Sequence, residues 1–251
     1  MRQARRRFLI QALVCALMLA AVPVFAQPVA SPPAALTYTH WQDLAPESSL
    51  KSAFENQGRL LINNLNLVAE GKENGTDKAV LIRGGGFTPA SLDWLIKDMG
   101  VRTIIDLRGR FSDDKTNQMI ALSPSVLAEY KKRHEENRLR NLSPDQTKAY
   151  VEHLAATSHL PLHYYNLKAE DPEVLKQLNM ASVTQPLAMF CQHGVNRSGT
   201  AWGEYAAQHG WGFDQAMAAF GVTNGGGAYI NRRDIEYGYT LEKNRLKNTS
   251  R

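Results

Sequence analysis

Nine consecutive residues concentrate the reactive chemistry of this chain: Cys191-Gln192-His193-Gly194-Val195-Asn196-Arg197-Ser198-Gly199. An apolar run, 187–190, leads into them, and a helical pattern, 198–209, follows. A loop of backbone N–H groups that opens onto a helix N-terminus is an anion site. The same field favours the thiolate of Cys191, which is the nucleophilic form of the side chain. Arg197 lies six residues beyond the cysteine, far enough for the loop to curl round one tetrahedral phosphoryl group. Its planar guanidinium can hold two phosphate oxygens at once, which a lysine cannot. Gly194 lets the backbone turn tightly toward the ligand. Ser198 is placed to hydrogen-bond the Cys191 sulfur and ease its departure from a covalent intermediate. Gln192, His193, Val195 and Asn196 complete the anion-binding loop.

The cysteine count sharpens the point. The chain has two, Cys15 and Cys191. Cys15 lies in an N-terminal stretch that reads as a secretory leader. Arg2, Arg5, Arg6 and Arg7 are followed by an apolar run, 8–25, that closes on Val24-Phe25-Ala26. A basic start, an apolar middle and a small-residue end form a signal peptide, with cleavage expected after Ala26. Arg5-Arg6-Arg7-Phe8-Leu9 also fits a twin-arginine signal, which leaves the export route open. After cleavage Cys191 stands alone in an oxidising compartment, where a thiol is either buried or has chemistry to perform. The whole chain carries +5, and the leader holds four arginines and no acid, which leaves +1 for the other 225 of the 251 residues. No nucleic-acid-binding surface is expected from that balance.

The elements that must position the loop alternate along the chain. Residues 27–46 are rich in Pro, Ala and Ser and read as a flexible lead-in to a domain over 47–251. Strands are expected at 59–68, 78–82, 101–107, 162–167 and 187–190. Arg83-Gly84-Gly85-Gly86 is read as a loop, with Arg83 either at the pocket mouth or structural. Thr88-Pro89 opens a helix and Gly100 ends it. Residues 112–160 are polar and helical, and are read as an insertion. His153, His159 and His163 match no ligand spacing, so no metal or other cofactor is expected. Asp171-Pro172 opens a further helix, and helices follow at 214–220 and 232–247. Strands interleaved with helices around a buried sheet predict an α/β fold with a mostly parallel central sheet.

Cys-x5-Arg-Ser-Gly between a strand and a helix resembles the signature loop of the cysteine-dependent protein tyrosine phosphatase superfamily. The stretch from Ile82 to Gly109, with Val-Arg-Thr-Ile-Ile-Asp-Leu-Arg, is similar to the start of bacterial dual-specificity-like phosphatases. The loop followed by Gly-Trp resembles their periplasmic members. The resemblance covers roughly 78–229, with the 112–160 insertion outside it. It implies a dual-specificity phosphatase-like fold and hydrolysis of phosphomonoesters through a phosphocysteine, without a metal. It implies Cys191 as nucleophile, Arg197 and the loop amides as phosphate ligands, and an upstream carboxylic acid as proton donor. Asp171 and Glu170 are the candidates for that acid, and Asp171 also reads as a helix N-cap. The family pattern has a histidine before the nucleophile, where this chain has Phe190.

Members of the superfamily this loop resembles that take polyphosphorylated inositols often carry lysines in it; the resemblance, with no lysine here, therefore implies phosphotyrosine, and also phosphoserine or phosphothreonine, over polyphosphorylated inositols. The expected partner is therefore a phosphorylated protein or small phosphomonoester, met in the periplasm or outside the cell. Three other readings compete. A rhodanese-like sulfurtransferase would have a shorter loop without the Arg-Ser-Gly ending. A binding module without turnover and an inositol-phosphate phosphatase remain open.

Overall fold

Asn74 and Gly75 both adopt left-handed backbone, with φ of 51° and 80°. That is the dihedral pattern of the two-residue hairpin turn whose twist matches its strands. It joins β2 (Asn63–Glu73) to β3 (Thr76–Gly85), which pair antiparallel. The computed structural model describes residues 37–38, 41–108, 140–221 and 228–249, and of 228–231 the backbone alone. All of these fall within one compact unit, Ala35–Arg251. The expected leader, 1–26, and residues 112–139 of the expected insertion lie outside the described residues.

Six strands form one sheet in the order β1-β2-β3-β6-β4-β5. The others are β1 (Thr37–Tyr38), β4 (Thr103–Asp106), β5 (His163–Asn166) and β6 (Leu187–Cys191). β3, β6, β4 and β5 run parallel, and β1 and β2 are antiparallel to their neighbours. This is the expected α/β arrangement with a mostly parallel centre. β6 lies between β3 and β4, so its C-terminal residue emerges flanked by the ends of both.

Side chains along a strand alternate between faces, and β6 shows the consequence. Met189 and Cys191 join one core cluster, Ala188 and Phe190 the other. The cysteine face is covered by α4 (Pro172–Met180), α5 (Asn196–Gln208), α6 (Phe213–Phe220) and α7 (Ala228–Thr249). Val174, Leu178, Trp202, Phe220 and Ile235 fill that side. The other face is covered by α1 (Ser49–Ala53), α2 (Pro89–Asp93) and α3 (Pro144–Ser158), through Leu50, Leu92, Val151 and Leu154. α1 continues as Phe54–Gly58 and Arg59–Leu61, and α2 as Trp94–Asp98.

Local signals account for several boundaries. Thr88 caps α2 in a reciprocal box with Ser91, and Gly100 ends the helix at φ 72°. Ser143 caps α3 in the same way with Gln146. α5 and α7 cross where each has a glycine. A Cβ on Gly203 would come within 2.8 Å of Tyr239 N, and one on Gly238 within 2.8 Å of Thr200 C. The two backbones therefore touch directly, which only glycine permits.

Three expectations need correction. Residues 59–61 end a helix, and the strand begins at Asn63 and runs to Glu73. The apolar run Leu60-Leu61-Ile62 suits either element, and the π-type segment before it carries the helix on. Gly84 and Gly85 are strand, not loop. They are glycine because a Cβ on Gly85 would stand 2.7 Å from His193 C. Thr37–Tyr38, within the segment read as flexible, adds a strand to the sheet edge. Tyr38 packs edge-on against Trp211 at 4.2 Å, and its hydroxyl lies 3.1 Å from that of Tyr205.

Candidate active site

Cys191 is the last residue of β6 and is 2% exposed. Gly86 N donates to its carbonyl at 2.9 Å, which ties the end of β6 to the chain leaving β3. Residues 192–195 then turn, and α5 starts at Asn196. Val195 precedes the helix without any side-chain cap, so the first amides of α5 carry the dipole's positive end into the turn. Ser198, fully buried in the first turn, places Oγ 3.7 Å from Cys191 Sγ. Phe190 faces the other way and stacks on Phe87 at 4.4 Å. Ser198 therefore supplies a polar neighbour to the sulfur, and residue 190 does not.

The orientation of the turn is set by two groups from the β2–β3 hairpin. Asn64 Nδ2 donates to His193 O at 2.8 Å, and Arg83 Nη1 donates to Gly194 O at 2.7 Å. In a planar trans peptide the C=O and N–H point in opposite directions. Drawing these two carbonyls out toward the hairpin therefore turns the amides of Gly194 and Val195 toward the inside of the turn. Gly194 has φ 69°, and a Cβ there would fall 2.6 Å from Gly85 N. No other residue type fits both the dihedral and the space.

Arg83 is a structural clamp rather than part of the pocket mouth. It is 1% exposed and also donates to Phe220 O at 2.9 Å, Asn64 O at 3.2 Å and Gly221 O at 2.7 Å. Its guanidinium lies 4.2 Å from the Phe220 ring centroid. Burial lowers its pKa to about 10, against the opposing attraction of Cys191, so it remains a cation at neutral pH. One buried positive charge thus stands behind the loop and interacts with the cysteine.

Arg197, half-buried, donates Nη1 to Leu107 O at 2.6 Å, which anchors its guanidinium on the β4 side of the loop. Gln192, His193 and Asn196 are half-buried, and Gly194 and Val195 are buried. Glu170 and Asp171 sit on the loop after β5, at the same edge of the sheet as Cys191, with the end of β4 between. Asp171 caps α4: its Oδ1 accepts from Glu173 N at 2.9 Å. The reading of Asp171 as a helix cap is thus met in the structure.

Two further residues near the loop, Asp106 and Asn64, lie outside the Cys-x5-Arg motif. Asp106 is fully buried and accepts from Arg108 Nη2 at 2.7 Å and Tyr164 OH at 2.8 Å. Burial, and then the Asp106 charge, push the Tyr164 phenol well above its ordinary range, so it stays a donor. Asn64 escaped sequence reading because it acts on a backbone carbonyl 129 positions away. Among the described residues no group of histidine, cysteine or carboxylate side chains is arranged to hold a metal, and no helix is long and apolar enough to cross a membrane.

Several solved structures are similar to this chain. PTPMT1 shares 13% identity at a TM-score of 0.34, over 64% of this chain and 93% of its own. TpbA from P. aeruginosa shares 18% at 0.33, over 65% and 86%. The core catalytic domain of the PP-IP phosphatase SIW14 from S. cerevisiae, in complex with citrate, shares 12% at 0.35, over 69% and 89%. No curated protein sequence matches the chain. A family model described as "DSP-PTPase phosphatase fused to NAD+ Kinase" matches residues 58–233, a span that runs from the end of the first helical stretch through the whole Cys191 loop. On that match, the chain belongs to this DSP-PTPase family of phosphatases.

Proposed function

We propose that the protein is an exported phosphatase that hydrolyses phosphomonoesters, phosphotyrosine foremost, through a phosphocysteine at Cys191. One observation carries the catalytic part. The His193 and Gly194 carbonyls are drawn toward the hairpin by Asn64 and Arg83, which turns the Gly194 and Val195 amides to the inside of the turn that follows the buried Cys191. Donors fixed in advance where charge will sit on the phosphoryl oxygens are the main source of rate in such a transfer.

The Cys191 thiolate attacks phosphorus and the bond to the ester oxygen breaks. That oxygen takes a proton from the carboxylic acid on the 170–171 loop. The resulting carboxylate then removes a proton from water, whose oxygen attacks phosphorus. The S–P bond breaks, inorganic phosphate leaves, and the sulfur departs as thiolate with Ser198 Oγ beside it. Loop amides and Arg197 hold the equatorial oxygens in both steps. The substrate class rests on a loop interior without lysine. Export rests on the arginine-rich, apolar leader that ends at Ala26.

The test uses purified residues 27–251 with chelator present. Phosphate release from p-nitrophenyl phosphate, a phosphotyrosine peptide and inositol hexakisphosphate is expected to rank with the phosphopeptide above the inositol. Asp171→Asn and Glu170→Gln identify the acid. Asparagine caps helices as well as aspartate does, so a loss in Asp171→Asn reports the proton and not the helix. The acid variant is expected to lose about 10²–10⁴-fold on the phosphopeptide. Its loss on p-nitrophenyl phosphate, whose leaving group needs little protonation, should be much smaller. Absence of turnover in a reduced, phosphate-binding protein would replace the enzyme with a binding module. The N-terminal sequence of protein recovered from an expressing bacterium's periplasm is expected to begin at Gln27.

A further inference from the structure

Arg197 is held by a peptide that is itself held. The Leu107 carbonyl that accepts its Nη1 belongs to the peptide joining Leu107 to Arg108. The N–H of that same peptide donates to Asp106 Oδ1 at 3.0 Å. Because a trans peptide is rigid and points its two polar groups in opposite directions, fixing the N–H on Asp106 aims the carbonyl at Arg197. Leu107 N bonds Phe190 O at 2.7 Å, so the residue cannot roll about the chain. A carboxylate at one end and a guanidinium at the other polarise the peptide in the same sense, which strengthens both hydrogen bonds.

Asp106 is equally constrained. Arg108 Nε reaches Oδ1 at 2.8 Å, while Arg108 Nη2 and the Tyr164 hydroxyl reach Oδ2. Arg108 in turn contacts Thr147 Oγ1 on α3 at 2.9 Å and the Leu142 carbonyl. The Asp106 and Arg108 side chains are 0% and 5% exposed. A buried ion pair of this kind is a weak source of stability, and apolar replacements of like volume are often neutral or better. Stability alone is therefore a poor reason for two charges under the loop, whereas aiming Arg197 needs the negative one.

We propose that Asp106 is a positioning residue for Arg197, acting through the Leu107–Arg108 peptide, with Arg108 and Tyr164 holding the carboxylate in place. The proposal rests on the phosphatase reading of the site. It is tested by replacing the pair together, Asp106→Leu with Arg108→Met, so that no charge is left buried alone. The change is made in the wild-type and Arg197→Met backgrounds. kcat and KM for p-nitrophenyl phosphate are measured, together with the Kd of inorganic phosphate by calorimetry.

In the wild-type background kcat/KM should fall about 10- to 100-fold and the phosphate Kd rise comparably, with little change in Tm. In the Arg197→Met background the same pair should change each by less than about twofold, because the residue being aimed is gone. Equal losses in both backgrounds, or full phosphate affinity in a folded pair variant, would overturn the proposal. Should the pair variant not fold, Asp106→Asn keeps the shape and removes the charge. A phosphate Kd about 3- to 10-fold higher is then expected, and only where Arg197 is present. An unchanged Kd overturns the idea. If wild type binds phosphate but turns over no ester, the phosphatase reading fails while the phosphate measurements still decide the role of Asp106.

Discussion

Cys191→Ser is expected to lose at least about 10⁴-fold in phosphate release while the protein keeps its fold and its affinity for inorganic phosphate. The expectation follows from where the sulfur sits. It is buried at the end of a central strand, with Ser198 Oγ 3.7 Å away, and the turn that follows carries its Gly194 and Val195 amides inward. A serine hydroxyl is a far weaker acid than a thiol, so it stays protonated and unreactive where a thiol ionises. The anion cradle we propose is built from backbone amides and Arg197, neither of which involves the sulfur. Turnover and binding should therefore separate cleanly. Phosphate release and phosphate calorimetry on the same preparation check this. Residual turnover within tenfold of wild type would mean that Cys191 is not the nucleophile.

Arg83→Met should be the most damaging change that touches no substrate. Arg83 donates to carbonyls of Asn64, Gly194, Phe220 and Gly221, so one side chain ties the hairpin, the loop and the end of α6. Methionine fills a similar volume but leaves buried carbonyls without their donor, which costs about 3–5 kcal/mol. In a domain of this size that corresponds to a Tm lower by roughly 10 °C. Activity should fall further than stability. Once the Gly194 carbonyl is released, nothing holds its peptide with the Val195 amide inward, and the carbonyl can turn toward the anion instead. Arg83→Lys should not rescue, because one ammonium cannot span three separated elements. Thermal denaturation and p-nitrophenyl phosphate turnover well below Tm check both parts. A variant with normal activity at low temperature would show that the clamp serves the fold alone.

What could be read from residues was what is contiguous. The strand, turn and helix around Cys191–Gly199 were legible because an apolar run, a glycine turn and a helical pattern follow one another in one segment. Thr88-Pro89 and Gly100 were legible because capping is local. Arg83 reads as structural or at the pocket mouth, and the structural alternative holds; the carbonyls it meets, and the roles of Asn64 and Asp106, were not legible, because each works on a backbone group. A carbonyl has no side-chain identity, so nothing in the sequence marks which one will be met. The Gly84-Gly85 pair misled for a related reason. Glycine signals freedom when read alone, yet here it marks the opposite: a strand pressed against the His193 backbone, with no room for a methyl group. The alternatives for the proton donor stayed open because the choice depends on which carboxyl group faces the pocket, and Glu170 and Asp171 are consecutive residues.

The glycine-to-glycine crossing of α5 and α7 has a mechanical consequence. Where side chains separate two helices, rotamer changes let one slide or rock against the other. At Gly203 and Gly238 backbone meets backbone, so that compliance is missing. α5 is therefore mounted on a stiff bearing, and the amides at its N-terminus inherit the stiffness. For the phosphoryl transfer proposed here, donors that must meet the reacting group within a few tenths of an ångström lose little to thermal wandering when their support cannot flex. The slowest-exchanging amide protons of the molecule are expected along 200–206, released only when the whole domain opens.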